Sequence, residues 1–286
     1  SAEQLRKIPI PLFDMGFQYQ IKEFVNNAAS FRNLSNSFYS QAENLLLEEL
    51  ELKSFKLKYE LSYTANLSKA FGVRRVDAEY FQPVYDEVKK KILEYSNGYA
   101  QLLSSVENIK PDFDPTRHPD RTFSYVELSD IDASIGVIHN ASEIKGEEAP
   151  SRAKRILKKY DVIVSSIEGS LEKVALVDDE YEGYLASSGF FQFRAVKILP
   201  EVLLVLAKSR VLQTQLKKEC SGTILTAVPN ESLKRIIIPI IPKETQQKIA
   251  SLIRQSYEAR KKAKKFLEEA KRKVEEAIES QGRPRH

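Results

Sequence analysis

One cysteine, three histidines and ten glycines in 286 residues remove several chemistries at the outset. The single Cys220 excludes an intramolecular disulfide and a multi-cysteine zinc site, and fits a reducing compartment. Nothing near it lowers a thiol pKa, so it reads as a small buried residue rather than a nucleophile. His118, His139 and His286 are far apart and differently flanked, which argues against a histidine triad or metal centre. There is no glycine-rich phosphate loop or dinucleotide fingerprint, and no Asn-Pro-Pro-Tyr motif. No run of 18 apolar residues exists to span a membrane, and the polar start at Ser1 does not read as a signal peptide. These absences lead us to expect a soluble, cytoplasmic chain with no cofactor, no metal and no catalytic group.

What is present begins with a repeat, the first thing to seek because it decides the architecture. Shifting the chain by 228 positions superimposes Leu5 on Leu233, Ile8 on Ile236, Ile10 on Ile238, Pro11 on Pro239, Gln18 on Gln246 and Ile21 on Ile249. The same register continues to Arg32 on Arg260, Phe38 on Phe266, Ala42 on Ala270, Glu48 on Glu276 and Glu51 on Glu279, eleven identities in 47 positions. Each copy has a short β-branched run, a proline, then a long helix. In the second, Ile236 to Ile238 read as a buried strand, Pro239 and Pro242 end it, and Lys243 to Glu279 holds neither glycine nor proline. That helix is about 55 Å long at 1.5 Å per residue.

Both helices carry heptad seams. Positions 249, 252, 256, 259, 263, 266, 270, 273 and 277 hold Ile, Leu, Ser, Ala, Ala, Phe, Ala, Lys and Ala. The first copy offers Ile21, Phe24, Ala28, Phe31, Ser35, Phe38, Ala42, Leu45 and Glu49. An amphipathic helix lying on its own domain is the plain alternative. Pairing is favoured by helix length and by charge, since residues 1–52 carry −3 and residues 243–286 carry +6. We take Ile21, Phe24, Phe31, Phe38, Ile249, Leu252, Phe266 and Ala270 as the partner-binding helix residues.

Between the arms, Phe55 to Tyr63 alternates like a strand. Arg74 and Arg75 are placed to meet phosphate, with solvated loop arginines as the alternative, and a short helix follows near Val84 to Tyr95. A proline-dense connection, Ile109 to Arg121, precedes strands at Phe123 to Leu128 and Ala133 to His139. Ser151 to Tyr160 reads as a short basic helix with Arg152, Lys154, Arg155, Lys158 and Lys159. It feeds a strand, Asp161 to Ser166, then a turn with Ser170 and a return from Lys173 to Val177. Side chains and amides at such an end suit sugar-phosphate contact, so Ser165, Ser166, Ser170 and Lys173 join the basic set as DNA-binding candidates; an ordinary hairpin is the alternative. The cluster Ser187-Ser188-Gly189 precedes a strand, Phe190 to Ile198, and one helix is expected from Glu201 to Lys218. Asp112 with Glu143 and Lys145 imitates a magnesium-dependent nuclease motif, but Glu-x-Lys triplets are frequent in so charged a chain. The middle, residues 53–242, is close to neutral at +1, so any basic patch there is local.

Several segments taken in order resemble the DNA-specificity (S, or HsdS) subunit of type I restriction-modification enzymes. They are Arg75 to Pro83, Tyr125 to Ile131 with Gly136 following, Tyr160 to Ser165, Ser221-Gly222-Thr223, and Ile236 to Pro242 with Gln246 and Ile249. The family often has glycine before the aspartate of its Asp-Val strand, where this chain has Tyr160. The resemblance implies an α+β fold in which a β-rich target-recognition domain (53–232) is flanked by helical arms (1–52 and 233–286) that form an antiparallel coiled-coil spacer. It further implies a non-catalytic subunit or half-subunit that binds half of a bipartite site in double-stranded DNA. Its expected partners are methyltransferase (M) subunits, through them the restriction (R) subunit, and a second copy of itself. A coiled-coil scaffold that binds protein only is the rival reading.

Overall fold

The computed structural model describes residues 11–222 and 226–281. The β-branched run around Ile8 and Ile10, and Thr223, lie outside the described residues. In chain order the elements are α1 (Met15–Glu49), α2 (Leu67–Val73), α3 (Pro83–Leu93), β1 (Tyr99–Gln101), β2 (Val106–Asn108), β3 (Thr122–Val126), β4 (Ile131–Asp132), β5 (Val137–Ile138) and β6 (Ser142–Lys145). They continue with β7 (Ala153–Ile156), β8 (Asp161–Ser165), β9 (Val174–Leu176), β10 (Leu185–Ser187), β11 (Phe190–Ala195), α4 (Pro200–Lys208), α5 (Arg210–Glu219), β12 (Ile237–Pro239) and α6 (Lys243–Gln281). Contacts divide the chain into two units, 1–39 with 254–286, and 40–253.

The first unit is a helix pair. The Phe31 and Phe266 rings stack with centroids 5.6 Å apart, and Phe24 reaches the same ring at 6.2 Å. Lys273 stands over Phe24 and Lys262 over Phe31, while Ser35 and Ser256 meet hydroxyl to hydroxyl at 3.1 Å. As one helix advances from 24 to 35 the other retreats from 273 to 256, so the two run antiparallel. The heptad reading locates the seam: every one of the nine positions named on each helix is buried or half-buried. The two serines are fully buried and make a second bond, Ser256 Oγ donating to the Ser35 carbonyl at 2.8 Å. A buried polar layer of this kind fixes register at some cost in stability.

The second unit is α+β. One antiparallel sheet has the order β2-β11-β8-β9, and a mixed sheet has the order β6-β3-β10-β7 with only β3 and β10 parallel. Val126 and Ala186 of the mixed sheet face Ile163, Ala175 and Phe190 of the antiparallel one in a common core. The other face of the antiparallel sheet is covered by α4, whose residues from Glu201 to Ala207 are all buried. Being covered on both faces, β8 is buried at every position, which is why it reads as a continuous apolar run.

Several expectations are corrected here. Phe55 to Tyr63 forms no strand and bends at residues 61–62; its contacts are made instead by side chains, Tyr59 edge-on to Tyr85 and Glu60 bonded through both backbone groups to the Gln82 amide. Only Val137 and Ile138 of the Ala133 to His139 segment form a strand, because residues 133–136 turn tightly. Gly136 sits at φ +74°, where an added Cβ would lie 2.6 Å from Leu204 Cδ1. The single helix expected from Glu201 to Lys218 is two, because Ser209 takes an extended conformation and its hydroxyl caps α5 by accepting from the Val211 N–H at 3.2 Å.

Candidate nucleic-acid interface

The basic stretch 151–160 is a strand and turn, not a helix. Ala153 to Ile156 pairs antiparallel with β10, Arg155 opposite Ala186, and this long-range pairing overrides local helix propensity. Strand alternation then separates neighbouring cations. Lys154 and Lys158 are exposed, as is Arg152, whose guanidinium holds Glu127 at 2.9 Å. Arg155 points inward, 5% exposed, with Nη1 donating to the Ile109 carbonyl at 2.6 Å. Burial pushes its guanidinium down to about 10, and among the described residues its Nε has no partner. A side chain so placed does not present itself to a phosphate, and Arg155 is withdrawn as a backbone contact. Lys159 is half-buried, paired with Asp179 and set 4.8 Å over the Tyr160 ring.

The small hydroxyls after β8 are also corrected. Ser165 is fully buried; its Oγ lies 3.0 Å from Ser170 Oγ and accepts the Ile167 N–H at 3.1 Å. Ser170 in turn lies 3.1 Å from the Ile167 carbonyl, Ser166 Oγ donates to the Gly189 carbonyl at 2.8 Å, and Lys173 Nζ donates to the Ile131 carbonyl at 2.9 Å. Short polar side chains at a strand end bond their own backbone in preference to reaching outward. Here they fasten the turn, and what remains exposed at its tip is Glu168 and Gly169, a poor match for phosphate.

Of the paired arginines, one is engaged. Arg75 holds both oxygens of Asp77 at 2.8 and 2.9 Å and donates to the Cys220 carbonyl at 2.9 Å, past the last turn of α5. That bond keeps the Asp77 carboxyl below its usual range. Arg74 caps α2 with φ +55° and is exposed. A cavity of about 570 Å³ beside them is lined by Arg74, Asp77, Lys217, Ser221 and Thr226, with Val76, Pro229 and Cys220 also in its wall. Burial raises the Cys220 thiol to about 12, in keeping with a packed residue.

Sequence reasoning missed the polar centre of this unit. Asp161, at 0% exposure, accepts from Gln192 Nε2 at 2.6 Å, from Arg194 Nε and Nη2 at 2.9 and 3.0 Å, and from the Lys158 N–H at 3.2 Å. The only signal was an acid opening an otherwise apolar strand. Just before it, Tyr160 adopts φ +66°, so the position where glycine was expected does use the left-handed conformation. Among the described residues, no group of three or more acidic, histidine or cysteine side chains is set to hold a metal ion.

The fold thus defines a class: a β-rich α+β domain in a chain that also carries an antiparallel pair of long helices. Residues 121–270, more than half of the chain, match the model of the type I restriction modification DNA specificity domain. The chain belongs to that family. A curated relative, the HindI specificity subunit of Haemophilus influenzae, is 28% identical over 151 residues, 51% of this chain and 32% of that protein. Among solved structures, the HsdS subunit of Thermoanaerobacter tengcongensis shares 30% identity over 64% of this chain and 47% of its own, with a TM-score of 0.48. A chain from a structure describing complex assembly and conformational transition of the type I R-M system shows the same identity and coverage, with a TM-score of 0.49. The chain spans about a third of the length of the curated relative and under half that of the solved chains.

Proposed function

We propose that this chain is a DNA-recognition subunit, or half-subunit, of a type I restriction-modification complex, binding one half of a bipartite site in double-stranded DNA. The observation that carries the reading is the family match, which runs without break from β3 through the sheets and helices into α6. In this reading residues 53–232 recognise DNA, while residues 1–52 and 233–286 form the spacer that docks methyltransferase subunits, and through them the restriction subunit; the seam residues named above are used in holding the two helices to each other. The chain catalyses nothing itself and works in the cytoplasm. A second copy would supply the other half-site. Of the stretch 152–173, Arg152, Lys154 and Lys158 keep exposed cationic groups for the duplex. Among the described residues, no helix is long and apolar enough to cross a membrane.

Fluorescence anisotropy with a random duplex across a salt series tests the reading. Affinity is expected to fall linearly on a log-log scale as salt rises, through counterion release. Absence of binding at low salt, with the methyltransferase partner present, leaves the protein-only scaffold as the better account.

A further inference from the structure

The near-neutral middle of the chain is sharply divided in charge. Residues 94–207, which build the sheets and most of α4, hold 12 Lys+Arg against 19 Asp+Glu, a net of −7. Residues 53–93 hold 9 against 5 and residues 208–242 hold 6 against 2, together +8. The fold gathers these two positive stretches into one layer. Helix α3 packs on α5 and on β12, and α5 also touches the Glu79–Phe81 turn.

Within this layer a cavity of about 260 Å³ is lined by Lys89, Lys218, Lys234 and Arg235 beside Tyr80 and Tyr85. Its one carboxylate, Glu219, is 6% exposed and already bonded to Arg235. Lys218 reaches Asp86 at 2.9 Å, but Lys89 and Lys234 are exposed and, among the described residues, have no carboxylate partner. Cations converging on one cavity repel one another, and an anion between them relieves the repulsion. The apolar groups of the cavity, Tyr80, Tyr85, Ile236 and Ile237, are all buried. The cavity itself therefore presents chiefly cations to solvent, while the exposed apolar side chains of the layer, such as Phe71 and Val76, lie outside its lining.

We propose that this helical layer, not the strand and turn at 152–173, provides the principal seat for the sugar-phosphate backbone of duplex DNA, through Lys89, Lys218, Lys234, Arg235 and the neighbouring Arg74. The inference rests on the DNA-binding reading above. The full chain is titrated with a random duplex over a salt series as wild type, as Arg74→Ala/Lys89→Ala/Lys234→Ala, and as Lys110→Ala/Lys145→Ala/Lys197→Ala. The last removes the same charge from exposed positions of the acidic part. Each lost phosphate contact lowers the salt slope by about 1, so the first variant is expected to lose about 3 and to bind at least roughly tenfold more weakly, while the second keeps the wild-type slope. If the wild type binds and the first variant keeps its slope, or both variants lose equally, the layer is not the seat and the DNA reading stands. If the wild type fails to bind at low salt even with the methyltransferase partner present, the DNA reading falls and takes this inference with it.

Discussion

Two regions of the second unit, each rich in groups that suit a nucleic acid, use them in opposite ways. Between Arg152 and Lys173 the polar groups are largely spent inside the fold: Arg155 is buried on a carbonyl, Lys159 is paired with Asp179, and Ser165, Ser166, Ser170 and Lys173 hold the turn together. In the layer built from α3 and α5, Lys89 and Lys234 stand exposed and, among the described residues, have no carboxylate partner, beside a cavity that other cations share. The denser cluster along the chain is thus the poorer one in space. Availability is decided by burial and partners, which a count of lysines and hydroxyls does not see.

The comparison breaks most visibly at Asp161. If the strand and turn are a structural fixture, removing the acceptor at their centre unfolds rather than unbinds. Asp161→Ala leaves the Lys158 N–H without its acceptor, removes one of the two acceptors of the fully buried Gln192 amide, which keeps the Ile156 carbonyl, and leaves Arg194 with only the longer pairing to Glu107 at 3.9 Å. Lost charge-assisted bonds and unsatisfied buried donors together cost about 3 kcal/mol. Urea denaturation of the full chain measures this directly. A loss below about 1 kcal/mol would show that the cluster does not hold the sheet.

A smaller effect, of opposite sign, is expected one strand away. Arg155→Met keeps much of the aliphatic stem, removes a buried charge whose Nε has no partner among the described residues, and gives up one bond to the Ile109 carbonyl. Replacing a buried charged group by an apolar one of similar volume is often neutral or stabilising, so stability should hold or rise by about 1 kcal/mol. DNA affinity should not change. An affinity loss of tenfold with stability intact would return Arg155 to the interface and erase the contrast between the two regions.

How much of this was legible beforehand depends on whether the cause is local. The seam of α1 and α6 could be read because a heptad pattern and the absence of helix breakers are properties of contiguous residues, and even the Ser35 and Ser256 interruptions fall on buried positions. Strand β8 was legible for the same reason. The inward turn of Arg155 was not, because it is imposed by β10, about 30 residues further along. The break at Ser209 had a local signal, a capping residue inside an apolar helix, that apolar content concealed. The positive layer is assembled from stretches more than a hundred residues apart, so no window along the chain contains it.

The finest test of the contrast concerns Tyr160, at the joint between the basic strand and β8. Its φ of +66° is one that a residue with a Cβ adopts only at a cost of about 1 kcal/mol or somewhat more, and that glycine adopts freely. The conformation is held by the Tyr160 N–H bonded to the Val177 carbonyl at 3.0 Å and by Asp161 N–H bonded to the Lys158 carbonyl at 3.0 Å, and neither bond needs the side chain. The ring is half exposed and its visible role is the contact with Lys159. Tyr160→Gly therefore removes strain, loses one weak surface contact and adds freedom to the unfolded chain, for a net gain of about 0.5 kcal/mol. Thermal melts of the full chain should show a rise of one or two degrees at most, with DNA affinity unchanged. A drop in stability would mean that the ring, and not the backbone of the turn, sets the geometry of this joint.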